Sequence, residues 1–127
     1  MSGWAAQYIG EPWVSGQNDC WHFARKVWAQ VFDRHVPQID IDAADPRAGR
    51  KALSDRSGWQ EVHAPMDGDA VLMARGRHPC HVGVWVAPRG VLHSVEASGV
   101  VFTPDPAVLG YRIVGFYRPE KECKPTS

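Results

Sequence analysis

Cys20, His81 and His93 are the side chains whose types and order could do covalent chemistry in this sequence. A thiolate attacks amide carbonyls, an imidazole can take up and return its proton, and a third polar group can orient that imidazole. Cys20 follows Asn18-Asp19, either of which can cap a helix, so the sulfur sits in a first helical turn. Backbone N–H groups and the helix dipole favour negative charge there, and the thiol should ionise below its free value of about 8.5. His81 opens the run HVGVWV, where Gly83 on the same face leaves room for a helix end to approach. His93 lies twelve residues further on, in VLHS. An even separation puts both rings on one sheet face only if the hairpin loop has an odd number of residues. Pro88-Arg89-Gly90 offers such a loop, with a G1 bulge at its glycine. Each of the three residues also reads as ordinary packing, a small core thiol and two satisfied histidines. Residue types alone leave both readings open.

The elements that must position these groups are legible from periodicity. Residues 3–9 predict a short amphipathic helix ending at Gly10, followed by a loop to Asn18. Residues 20–32 carry the best helical pattern, with Cys20, Phe23, Ala24, Val27, Trp28 and Val31 on one apolar stripe. Residues 33–58 are polar and irregular, a surface excursion with a helix expected over 45–54 from Asp45-Pro46. From Trp59 the period changes to two. Strands are expected at 59–63, 69–74, 81–87, 91–96, 99–103 and 111–118, separated by Gly, Pro and Asp turn signals. Helices first and strands later predict an α+β fold with an antiparallel sheet.

Composition narrows the class. A length of 127 residues suits one domain over 1–127, with a core that needs no staples. Hydrophobic residues at 44% and charged residues at 22% are ordinary globular usage, against disorder and membrane classes. Fourteen basic and fourteen acidic side chains cancel, which disfavours nucleic acid as the partner. Three cysteines make no disulfide scaffold and leave at least one free thiol. The start MSGWAAQYIG has no basic region followed by an apolar stretch, so the expectation is synthesis in the cytoplasm without a signal peptide. No apolar run approaches the roughly 20 residues of a membrane span. Six tryptophans suit core packing, or a groove lined with rings.

The stretches YIGEPWVSGQNDCWHFARKVW, GDAVLM and HVGVWV with VLHS resemble the three signature blocks of the NlpC-type cysteine peptidases (the NlpC and P-sixty superfamily). That resemblance covers about Tyr8 to Ser94, and only weakly residues 33–58. It implies a circularly permuted papain-like fold, with N-terminal helices packed on an antiparallel β-sheet. It implies Cys20 as nucleophile, His81 as general base and later acid, and His93 as the orienting residue. The implied reaction passes through a thioester, with the backbone N–H of Cys20 as one oxyanion donor, and needs no metal or cofactor. Family members commonly carry Tyr where this chain has Trp13, which offers only an indole N–H. Gln17 and Tyr8 are the substitute second donors. Asp19 matches the family's Asp before the nucleophile, which helps hold the amine end of a stem peptide. Trp21 and His22 replace the usual Ser-Gly, and an exposed Trp21 would narrow the entrance. The implied substrate is peptidoglycan, cleaved at the γ-D-glutamyl-diaminopimelate bond of its stem peptides. Asp-Cys-Trp variants look like peptidases encoded among phage tail genes, which implies tail-tip proteins as partners and a virion tail as location.

Three other readings accompany this one. A CHAP-type amidase would use Glu96 in place of His93. A zinc-stabilised structural module could draw on Cys20, His22, His78, Cys80 and His81, although the usual C-x-x-C knuckles are missing. A tail structural protein could keep the fold and lose the activity. Cys80 is expected to be a strand-end packing residue and Cys123 to lie in a polar tail.

Overall fold

A computed structural model describes residues 3–35 and 59–119. The helix expected over 45–54 and the thiol of Cys123 lie outside the described residues, as do the side chains of His78 and Cys80. Helix α1 spans Gly3–Ala6, shorter than expected, and turns carry the chain on to Gly10. Helix α2 runs Cys20–Phe32, as the periodicity predicts. Asp19 is its N-cap, with extended backbone and a carboxylate accepting from the His22 N–H at 3.0 Å. The helix stops at Asp33, which takes the left-handed conformation an Asp tolerates and donates its N–H to the Trp28 carbonyl.

The stripe does the packing expected of it. Phe23, Ala24, Val27 and Trp28 are buried, while Cys20 and Val31 lie partly buried at the edge of the same cluster. Burying a side chain such as Phe23 or Val27 contributes roughly 1.5–3 kcal/mol. They meet Ala70 and Leu72 of strand β2 (Ala70–Arg75), Val82 and Val84 of β3 (His78–Trp85), Leu92 of β4 (Val91–Val95) and Val100 of β5 (Gly99–Thr103). With β1 (Trp59–Val62) and β6 (Arg112–Pro119), these strands form one antiparallel sheet in the order β1-β6-β2-β3-β4-β5. A turn of 3-10 helix at Pro106–Leu109 precedes β6, which returns across the sheet to lie between β1 and β2. Alternate residues Val71, Met73 and Val91 form a second, smaller cluster with Tyr111. Among the described residues no helix is long and apolar enough to cross a membrane.

Two anchors hold this arrangement around the GDAVLM segment. The Trp28 indole N–H donates to the Gly68 carbonyl at 2.9 Å, tying the middle of α2 to the start of β2. Asp69 takes both Nε and Nη2 of Arg118 on β6, at 2.9 and 2.7 Å, and also accepts the Met66 N–H. At the other edge, Gly10 and Glu11 bond the Val100 backbone, so β5 is covered by the segment that leads to α2. Gly99 permits this approach, because a Cβ there would lie 2.4 Å from the Glu11 carbonyl oxygen.

The β3–β4 hairpin has the parity that the two histidines require. Val84 faces Leu92, Trp85 faces Val91, and the Val86 N–H donates to Gly90. The loop is therefore Ala87-Pro88-Arg89, three residues as expected but placed one position earlier. Gly90 does not adopt the αL conformation of a G1 bulge, since its φ is 157°. It is small because the Phe102 ring sits 2.3 Å from where a Cβ would stand.

Candidate active site

Ladder pairing between β3 and β4 stops at Val84 and Leu92, so His81 and His93 both lie beyond the paired region. There the two rings bridge the strands, with Nε2 of His81 2.8 Å from Nδ1 of His93. Nε2 of His93 lies in turn 2.8 Å from the Thr103 hydroxyl on β5. All three side chains are buried, which leaves no bulk water to replace a missing partner. Gly83 serves this contact differently from the expectation. A Cβ at Gly83 would meet Val91 Cγ1 at 2.5 Å and His93 Cβ at 3.0 Å, so its space is filled by β4 and not by a helix end.

The plane of His81 is set from one side. Tyr111 stacks on it with ring centroids 4.4 Å apart and planes 11° from parallel, and the Arg75 guanidinium lies 4.2 Å from the Tyr111 centroid. Nε2 of His81 is engaged by His93, so Nδ1 is the nitrogen left for chemistry.

The start of α2 is fastened to the same end of the sheet. Ser94, next to His93, donates its hydroxyl to the Asn18 carbonyl at 2.7 Å. Asn18 precedes Cys20 by two residues, a reach of at most about 7 Å along the chain. Helix α2 packs on β3 and β4. The Ser94 bond thus ties the helix start that carries Cys20 to the end of β4, on the sheet face that α2 covers. Alternation puts His81 and His93 on the other face, with Met73, Val91 and Tyr111.

Other expected site residues are distributed differently. Asp19 is buried and acts as a cap, with Oδ1 bonded to the His22 amide and Nδ1 and Oδ2 to the Gly16 amide. Burial pushes its carboxyl up, but these hydrogen bonds outweigh that and hold it below the ordinary carboxylate range. Trp21 is buried at 4% exposure against Trp28, so it does not narrow an entrance. The reason is angular, because the apolar face of α2 is wide enough to take in position 21 as well as the predicted stripe. Tyr8 is buried too, and its hydroxyl donates to Gln30 at 2.5 Å. Gln30 lies ten residues along α2 from Cys20, about 15 Å at the helical rise. Tyr8 is therefore removed from the list of second oxyanion donors. Trp13 is half-buried and Gln17 exposed, both on the loop before Cys20. Among the described residues, no three His, Cys, Asp or Glu side chains converge as a metal site.

Thr103 and Tyr111 are the partners that sequence reasoning missed. Neither has a local signal, since a Thr in a strand and a Tyr before one are ordinary β-residues. Only the strand register shows which ring each one touches.

Burial of the histidine pair has a consequence for stability. It pushes His93 down to about 4 and, reinforced by His93 and Arg75, pushes His81 well below 6.5. Between about pH 4 and 6.5 the unfolded chain binds more protons than the native one, so stability falls as pH drops through that window. It is fully present above pH 6.5. For His93 alone the loss approaches about 3 kcal/mol at the acid end. Thermal melts from pH 7.5 to 4.5 should show the decline, and His93→Gln should flatten it. An identical slope in that variant would contradict the assignment.

No family model matches the chain, and no curated protein matches it. Among solved structures, the fold is similar to the NlpC/p60 domain of the peptidoglycan hydrolase SagA. The TM-score is 0.58 at 19% sequence identity, over 87% of this chain and 90% of that one. The chain thus has the α+β, papain-like fold of NlpC/p60 domains, with few helices and a six-stranded antiparallel sheet.

Proposed function

We propose that this protein is a cysteine hydrolase that cleaves an amide bond in the stem peptides of peptidoglycan. The observation that carries this reading is the buried His81–His93 bridge, with the helix start that bears Cys20 tied to Ser94, the residue next to His93. Support also comes from the similarity in fold to a domain of a peptidoglycan hydrolase. Nδ1 of His81 takes the proton of the Cys20 thiol, and the sulfur attacks the peptide carbonyl carbon. The tetrahedral intermediate collapses as the imidazolium protonates the leaving amine, giving a thioester. Water, deprotonated by the same nitrogen, then releases the acid and restores the thiol. Burial keeps the His81 imidazole neutral at pH 7, so one of its two nitrogens carries a lone pair, and the first step needs that nitrogen to be Nδ1.

The bond proposed is γ-D-glutamyl-diaminopimelate, and the proposed setting is a phage tail tip. Mass spectrometry of purified peptidoglycan after treatment with wild type and Cys20→Ala tests the reading. Wild type should release peptides with a new γ-glutamyl carboxyl end, and the variant none. Equal product from both proteins, or no product from folded wild type, overturns it.

A further inference from the structure

The hydrogen-bonded chain from His81 to His93 ends on Thr103, a residue with no role in the reaction steps above. Heavy-atom positions allow that chain to run in two directions. In one, His81 donates from Nε2 to His93 Nδ1, and His93 donates from Nε2 to the Thr103 oxygen. In the other, Thr103 donates to His93 Nε2, His93 donates from Nδ1 to His81 Nε2, and the single proton of His81 is forced onto Nδ1. The second direction places a proton on the nitrogen that must accept one from Cys20. The first leaves it bare.

We propose that Thr103 is a positioning residue, whose hydroxyl oxygen accepts from His93 and thereby holds both imidazoles in the tautomers that leave Nδ1 of His81 unprotonated. The proposal rests on His81 being the base. When His81 becomes an imidazolium, both its nitrogens carry protons, so His93 must accept at Nδ1 and donate at Nε2. A buried acceptor beyond His93 is then obligatory. Thr103 is 4% exposed and His93 fully buried, so water cannot serve in its place. A methyl group at that position would leave the Nε2 proton unpaired and favour the reversed chain. Strand register shows why a hydroxyl can stand there, since Thr103 on β5 pairs with Val91 of β4 and so shares the sheet face of His93, two residues along β4.

The test compares wild type with Thr103→Val, which keeps the shape, and Thr103→Ser, which keeps the hydroxyl. Nitrogen-15 NMR of the histidine rings at pH 7 reads the tautomers directly. Wild type and Thr103→Ser should show His93 protonated at Nε2, and Thr103→Val should show protonation moving to Nδ1. In parallel, kcat of Thr103→Val on stem peptides should fall about tenfold or more with KM unchanged, and Thr103→Ser should restore it. Wild-type His93 carrying its proton on Nδ1 overturns the proposal without any variant, as does a tautomer unchanged in Thr103→Val. If the tautomers behave as expected but wild type cleaves no peptide, the functional reading fails, and with it the positioning role, while the assignment of Thr103 as the acceptor that fixes the tautomers stands.

Discussion

Turnover of a stem-peptide substrate is expected to fall by at least about a thousandfold in Cys20→Ser and in His81→Gln, and no further in the double variant. Nucleophile and base act as one unit, so once either is lost the other contributes almost nothing. A hydroxyl in place of the thiol is far harder to ionise, and a glutamine in place of the imidazole cannot store the proton between attack and departure of the amine. Gln can still bond Nδ1 of His93, so the fold around the buried ring should survive. Circular dichroism and melting curves provide that control. Alkylation supplies a readout that needs no substrate, with modification mapped to the Cys20 peptide to separate it from Cys80 and Cys123. Cys20 in wild type should react faster at pH 7 than an ordinary thiol, and His81→Gln should slow it. Losses in the two single variants that multiply in the double variant would mean that the residues act independently.

Arg118→Met is expected to destabilise the fold by about 3–5 kcal/mol, and more than Asp69→Ala does. The asymmetry follows from burial. Asp69 has 1% of its side chain exposed, whereas Arg118 keeps 31%. Removing the arginine strands a buried carboxylate whose remaining partner is the Met66 amide. Removing the carboxylate leaves a guanidinium that water already reaches, so the penalty is screened. The pair also fixes register, since it joins the start of β2 to β6, the strand inserted between β1 and β2. Combining Asp69→Ala with Arg118→Met should recover part of the loss of Arg118→Met, because no buried charge is then unmatched. Urea midpoints for the four proteins measure this. A larger loss for Asp69→Ala than for Arg118→Met would show that the stranded carboxylate is not what dominates.

Helix α2 and the candidate residues could be read before any coordinates, because caps, turns and periodicity depend on neighbours in the chain. Asp19 caps the helix that starts at the next residue by accepting from His22, a stripe repeats every three or four positions, and alternation marks a strand. The loop between β3 and β4 is short enough for parity alone to place His81 and His93 on one face. Tertiary packing decided the rest. Tyr8 meets Gln30 and not the helix start, Trp21 is drawn into the core, and Gly83 makes room for His93. Thr103 reaches His93, and Tyr111 covers His81. Each of these contacts depends on how strands and helix are registered across long stretches of chain. That register is selected by the joint burial of two apolar clusters and by the Asp69–Arg118 pair, to which no single segment holds the answer.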